Sequence, residues 1–407
     1  MGTANIGIWL IGAKGNVATS AILGLSALAR GLIDQTGLVT ALPSFRSIGL
    51  SDWSRFVVGG HEIREVGLFR AALRLSEETG AVDRELVAAC REDLEAIESR
   101  IRPGTVLNVG ATIAGFAASW VPRAETPRQA VARLEEDLRC FAEGEGLEHV
   151  VVINVASTEP RRDPAEVPGR WSELEALLER PEACPLPASS LYAIAALGLG
   201  YSYINFTPSL GSAPRAIDEL GRRRGARHMG CDGKTGETLM KSVLAPMFRQ
   251  RHLRVMSWVG HNIFGNLDGR VLDDPANKAA KVASKDQLLG RILGYQPQTL
   301  VSIEYIESLG DWKTAWDHIH FRGFLGTPMT LQFIWQGCDS LLAAPLVLDL
   351  ARLAVLAWRR GEVGTMPFLA SFFKNPYGVE EQDFARQFQM LEAWAAGQSA
   401  AEQAHGR

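Results

Sequence analysis

Lysine is scarce in this 407-residue chain: of its 42 basic residues, 34 are arginine and 8 are lysine. Cysteine is also sparse. The five (Cys90, Cys140, Cys184, Cys231, Cys338) are odd in number, scattered, and form no C-x-x-C pair. That pattern excludes a disulfide framework and a structural zinc site, and it fits a reducing cytoplasm. Excess charge is missing too, since 42 basic residues against 46 acidic give a formal charge of −4. Without a basic field, nucleic acid is not an expected partner. No uninterrupted apolar run reaches the roughly 18 residues of a membrane span. The opening MGTANIGIWLIGAKG has no basic n-region, which predicts that it is not a secretory leader.

What is present begins with a short apolar run, NIGIWLIG (5–12), that stops at glycine and runs on into ATSAILGLSALARGL at helical spacing. Strand, glycine turn and helix open a dinucleotide-binding βαβ unit. The turn reads Gly12-Ala13-Lys14-Gly15-Asn16-Val17, a variant of G-x-G-x-x-G that also suits a plain strand–helix connection. GLVTALP (37–43) is read as the second strand. Ala41 and Leu42 then stand where an acidic residue would grip the adenosine ribose.

EHVVVINVAST (148–158) has the unbroken apolar character of a strand buried on both faces. In an open parallel sheet the ligand crevice lies beyond the carboxyl ends of the strands. Asn108, then Asn154, Ala156, Ser157, Thr158 and Glu159, then Asn205 and Thr207 all fall at such ends. Residues 160–189, rich in Pro, Glu and Arg, are expected to be an exposed excursion. Cys231-Asp232-Gly233-Lys234-Thr235-Gly236-Glu237-Thr238 precedes LMKSVLAPMF, a helix whose start suits a phosphate. Strand-like segments then follow to about residue 336, and SLLAAPLVLDLARLAVLAWRRG (340–361) returns as a long apolar helix. This predicts an α/β chain. Residues 1–239, completed by 337–407, form the nucleotide-binding domain, and 240–336 are inserted.

The rare lysines mark the chemistry. A chain that prefers arginine should keep lysine where a compact charge or a tunable proton carrier is needed. After Lys14 the next lysine is Lys234, 219 residues without one lying between, and six of the eight fall between 234 and 313. Lys281 and Lys285 are four apart and would share a helix face, where two ammonium groups depress each other's pKa. Lys313 sits in SLGDWKTAWD and Lys374 in SFFKNP. Asp232 and Asp268 are candidates to orient these amines or hold a cation. His318 and His320 alternate on one strand face, with no third ligand at recognisable spacing. Such amines stabilise enolates and alkoxides. Beside a nicotinamide they suit oxidation of an alcohol followed by loss of the adjacent proton.

The blocks VVINVASTEP, YINFTPS, GCDGKTGETLMKSVLAPM, GNLDG, SKDQLLGRILGY, GDWKTAWDHIHFRGFLG, DSLLAAPLVLDLARL and FFKNP, in this order, resemble the myo-inositol-1-phosphate synthase family, above all its shorter archaeal and bacterial form. The resemblance implies a Rossmann-type NAD-binding domain carrying an inserted α+β catalytic and oligomerisation domain. It implies redox-neutral cyclisation of D-glucose 6-phosphate to 1L-myo-inositol 1-phosphate. The sugar is oxidised at C5, deprotonated at C6, closed onto C1 and reduced again by the same cofactor. The family's catalytic lysines fall on Lys281, Lys285, Lys313 and Lys374, and its active-site aspartates on Asp232 and Asp268. The cofactor set is Gly12, Ala13, Lys14, Gly15, Asn16, Val17, Asn108, Asn154, Ala156, Ser157, Thr158 and Asp232. The phosphate turn is Thr235, Gly236, Glu237 and Thr238, with Lys241. A divalent cation, with Asp268 as candidate ligand, is left open. The resemblance also implies a cytoplasmic homotetramer, and the strands holding IEYI and QFIW suit sheet extension between subunits.

Three departures from the family pattern stand out: the GAKGNVA turn, Ala41 in place of an acid, and His261 beside Asn262 ahead of GNLDG. The last raises the question of an altered substrate. Two alternatives follow. One is a relative that closes another sugar phosphate, such as fructose 6-phosphate, to a five-membered carbocycle. The other is a non-catalytic NAD-binding assembly protein, against which the retained lysines argue.

Overall fold

The structure is a computed structural model and describes residues 5–266 and 288–405. Asp268, Lys281 and Lys285 therefore lie outside the described residues. The strands are β1 (Asn5–Ile11), β2 (Phe56–Glu62), β3 (Ile101–Pro103), β4 (Leu147–Asn154), β5 (Ser202–Asn205), β6 (Arg227–Gly230), β7 (Arg254–Phe264), β8 (Gln298–Tyr305), β9 (Trp312–Arg322), β10 (Pro328–Cys338) and β11 (Gly364–Thr365). The helices that shape the cleft are α1 (Asn16–Ala29), α2 (Pro127–Gly144), α3 (Ala188–Gly198), α4 (Gly236–Gln250), α5 (Asp339–Arg359) and α6 (Phe384–His405).

Seven strands make a parallel sheet in the order β11-β6-β5-β4-β1-β2-β3. From β3 to β6 this is the dinucleotide-binding order, whose direction reverses between β1 and β4. Alternation along β1 feeds two cores. Ile6, Ile8 and Leu10 pack on α1 and α5, whereas Trp9 and Ile11 join α2 and α3 on the other face. With both faces covered, β1 and β4 read as apolar runs. By length and composition α5 could cross a membrane, but 72% of its apolar window is buried here, as a core helix.

A second sheet, ordered β10-β9-β7-β8, follows α4. β7–β9 and β9–β10 are antiparallel and β7–β8 parallel. One face packs Trp258 and Ile319 against Phe248 of α4. The other face is open, with Ile334 70% exposed.

Two expectations need correction. Residues 37–43 are not the second strand. Val39–Ala41 is a 3₁₀ turn, because the N–H groups of Val39 and Thr40 donate to buried Asp349 at 2.6 and 3.1 Å instead of to a neighbouring strand. The second strand is β2. Nor are residues 160–189 a wholly exposed excursion. A helix over Trp171–Leu178 buries Trp171, Leu174 and Leu178, and Leu186 follows them into the core beside α2 and α3.

Candidate active site

The cleft opens where the carboxyl ends of β1, β4 and β5 meet the inner face of the second sheet. After β1 the chain turns at Gly12, whose φ of +79° favours glycine, and a Cβ there would fall 2.9 Å from the Ala156 Cα. The Gly12 and Ala13 N–H groups donate to the His61 carbonyl at 2.9 and 3.0 Å. Gly15 caps α1 and no side chain occupies that helix end, so the N-terminus faces the cleft. His61 itself is fixed: Nδ1 accepts from the Trp9 indole at 2.8 Å, and Nε2 lies 3.1 Å from Asp137. Burial lowers its pKa, against the pull of Asp137.

β2 ends in Glu62, which supplies the acidic residue that is absent at 41–42. Its carboxylate accepts from the Lys14 N–H at 2.8 Å, from the Ile63 and Arg64 N–H groups and from the Arg64 guanidinium. Burial opposes ionisation here, but Arg64 and those backbone donors hold the pKa below its ordinary value. Val109, Ile113 and Phe116 add an apolar wall. A glycine turn at a helix start, a carboxylate at the end of β2 and an apolar slot together fit an adenine dinucleotide such as NAD.

On the other side of β1, the Asn154 amide donates to Asn205 Oδ1 and Thr207 Oγ1, both at 3.2 Å, and locks two strand ends together. Glu159 accepts from the N–H and hydroxyl of Ser189 at the start of α3, and burial pushes its carboxyl up to about 7. Beyond β6, residues 231–234 run beside 372–375 as a short ladder, with Cys231 and Asn375 exchanging backbone bonds and Lys374 N donating to Asp232 O at 2.7 Å. This mount sets Lys374 Nζ 2.8 Å from Asp232 Oδ1, while Phe372 and Phe373 turn into the core. Lys234 lies on the far side of the ladder, where its amine donates to Gln387 of α6. Burial and the Lys374 charge bring Lys234 down to about 7.

The second sheet supplies the rest. Lys313 Nζ sits 5.2 Å from the centre of the Phe264 ring and 3.7 Å from Asp339 Oδ1. Glu237, in the first turn of α4, pairs with Lys241 at 2.6 Å and accepts from the Asn262 amide at 2.7 Å. Thr235 and Thr238 line the cleft beside it.

Of the residues singled out in the sequence, Gly12, Gly15, Asn16, Val17, Asn154, Ala156, Ser157, Thr158, Asp232, Thr235, Glu237, Thr238, Lys313 and Lys374 line this one cleft. Others stand behind it. Ala13 is buried under the turn, and the Lys14 amine is drawn 2.8 Å from Glu98. The Asn108 amide ties down the Cys184 and Leu186 carbonyls. Gly236, at φ +53°, starts α4, and Lys241 is held back by Glu237. His261 faces away: its ring stacks on Trp316 at 5.6 Å and its Nδ1 meets Ser302 Oγ at 2.6 Å, while neighbouring Asn262 points to the cleft. His318, also beside Trp316, is remote from the cleft. Among the described residues no three His, Cys, Asp or Glu side chains are grouped to hold a metal. Sequence reasoning missed Glu62, Asp311 and Asp339, all of which line the cleft.

A sequence profile of the family described as myo-inositol-1-phosphate synthase matches residues 6–396. The inositol-3-phosphate synthase 1 of Bacteroides thetaiotaomicron is 31% identical over 403 residues, covering 92% of this chain and 90% of its own length. Two solved structures share the fold at 24% identity. The inositol-3-phosphate synthase of Caenorhabditis elegans has a TM-score of 0.84, over 97% of this chain and 86% of the other. A myo-inositol-1-phosphate synthase-related protein from Thermotoga maritima has a TM-score of 0.77, over 96% and 98%.

Proposed function

This chain belongs to the myo-inositol-1-phosphate synthase family, and we propose that it is an NAD-dependent isomerase that cyclises D-glucose 6-phosphate to 1L-myo-inositol 1-phosphate. The observation that carries this reading is the convergence of Lys374, paired with Asp232, and Lys313 on the cleft that also holds the glycine turn. One amine from the ladder beyond β6 and one from β9 of the second sheet line the same space.

The glycine turn and α1 receive the pyrophosphate of NAD, Glu62 the ribose, and the wall of Val109, Ile113 and Phe116 the adenine. Bound NAD supplies reversible oxidation of a sugar alcohol. Lys374, held in place by Asp232, would stabilise the oxyanion at C5 or C1 through its ammonium charge. Lys281 is assigned to the same proton and oxyanion work. Lys313 and Lys285 hold the phosphate or the enolate. Because Lys241 neutralises Glu237, the start of α4 offers the phosphate the Thr235 and Thr238 hydroxyls and helix N–H groups without an opposing charge. Asp268 is kept as the residue to test for a divalent cation.

In this reading residues 1–239 and 337–407 form the cofactor domain and 240–336 the catalytic and assembly domain, with the handover inside α4. IEYI and QFIW fall on β8 and β10, the two edges of the second sheet, and this together with its open face supports association of copies through this sheet, taken in this reading as a cytoplasmic homotetramer. Sedimentation of the purified protein tests the tetramer.

The function is tested by incubating the protein with glucose 6-phosphate, with and without added NAD, and following the product by NMR. A six-membered cyclitol phosphate is expected. A five-membered carbocycle formed from fructose 6-phosphate alone would replace this reading with a relative's, and no turnover of either sugar would leave a binding protein.

A further inference from the structure

Asp311 follows β8 and stands two residues ahead of Lys313, with 1% of its surface exposed. Five donors converge on its carboxylate. Oδ1 accepts from the Asn16 amide at 3.3 Å, the Asn266 amide at 3.2 Å and the Ser340 hydroxyl at 2.8 Å. Oδ2 accepts from the Ser340 N–H at 3.0 Å and the Cys338 thiol at 2.9 Å. The Asp311 carbonyl also accepts from the Asp339 N–H at 3.1 Å.

These donors come from parts of the cleft far apart in sequence. Asn16 is the first residue of α1, directly after the glycine turn. Asn266 follows β7 and leads toward the segment that carries Lys281 and Lys285. Cys338 closes β10, and Ser340 lies in the first turn of α5. A backbone N–H from the first turn of α5 and the side-chain amide of the first residue of α1 thus meet on one buried negative charge. Taking a carboxylate out of water is costly, and removing its partners leaves that cost uncompensated. The Asn16 amide, which the sequence offered as a cofactor ligand, is committed to Asp311.

We propose that Asp311 is a positioning residue that couples the two halves of the cleft, fixing the glycine turn through Asn16 and Lys313 through the chain that follows it, so that NAD and the sugar phosphate bind cooperatively. This rests on the proposed placing of NAD over the glycine turn and of the sugar phosphate beside Lys313. Coupling of this kind is reciprocal and is read as a ratio of affinities.

The test measures NAD dissociation constants by calorimetry with and without saturating glucitol 6-phosphate, which lacks the aldehyde needed for ring closure. In the wild-type protein the sugar phosphate should tighten NAD about tenfold. In Asp311→Asn, which keeps the size and loses the charge, the ratio should fall to within about twofold of unity. If Asp311→Asn does not fold, Asn16→Ala cuts only the tie to the turn and should lower the ratio in the same way. An unchanged ratio in the folded variant, or no tightening in the wild type, overturns the coupling. A wild-type protein that cyclises glucose 6-phosphate without such coupling sinks this inference alone. One that binds no NAD sinks the functional reading beneath it.

Discussion

The two sheets use similar residues to different ends. The seven-stranded sheet is covered on both faces, so Ile8, Val151 and Ile153 are fully buried and their job is cohesion. The four-stranded sheet is covered on one face only. Along β7 burial alternates, with Trp258, Gly260, Asn262 and Phe264 turned inward and His261 outward. The first sheet is therefore a platform that holds its strand ends in register, and the second is a partition with one face on the chemistry and one left for other contacts. A site between them is lined from both: Glu62 and Asp232 come from at or just beyond the ends of the platform's strands, Asn262 and Lys313 from the partition.

Removing atoms from the platform should give the largest effect. Ile153→Ala in β4 should lower unfolding free energy by about 2–5 kcal/mol, measured by chemical denaturation. Next come the two amines that line the cleft. Lys374→Ala and Lys313→Ala should each reduce kcat at least about 100-fold, with NAD affinity changed far less. If only one of them mattered, the picture of a site shared by both sheets would fail.

A smaller effect is expected from His149, at the base of the platform, where its ring stacks on Trp358 at 4.5 Å and meets Ser202 Oγ at 2.8 Å. Burial, reinforced by the Arg227 and Arg359 charges, holds its pKa well below the ordinary value. The unfolded chain takes up a proton near pH 6.5 and the folded chain resists it, so stability from this group is present above pH 6.5 and lost as pH falls. Glu159 and Asp349, whose carboxyls burial raises to about 7 and about 6, contribute in the opposite sense. His149→Gln isolates the histidine: between pH 7 and 5.5 its stability should fall less than the wild type's, by about 1 kcal/mol.

The smallest effect belongs to the open face. Ile334→Ala makes in β10 the same deletion as Ile153→Ala, but at a side chain 70% exposed, and should move protomer stability by no more than about 0.5 kcal/mol. A cost as large as that of Ile153→Ala would show the two sheets to be equally cohesive.

How much of this was readable beforehand follows the same division. β1, β4 and α5 announce themselves because burial on all sides demands apolar runs, and the DGKTGET block announces the start of α4. β2 was hidden. FVVGGHE carries two adjacent glycines, which weaken a strand signal, but Gly60 is a strand residue: a Cβ there would lie 2.4 Å from the Leu10 carbonyl oxygen, where β1 and β2 press together. With β2 misplaced, Glu62 could not be recognised at its end. Asp311 and Asp339 were invisible for another reason. A lone acid carries no pattern, and only the fold shows that Asn16, Ser340 and Lys313 surround them. His261 misled because sequence adjacency to Asn262 hides the fact that neighbours on a strand face opposite ways.

The ladder that seats Lys374 against Asp232 joins residues 142 positions apart, with the whole second sheet between them. Synthesis is vectorial, and domains tend to fold as they leave the ribosome. The glycine turn and the first six strands can thus gather while Lys374 has yet to be made. A nascent chain halted before residue 374 would lack that amine, so the lining of the cleft is completed only when nearly the whole chain has been made.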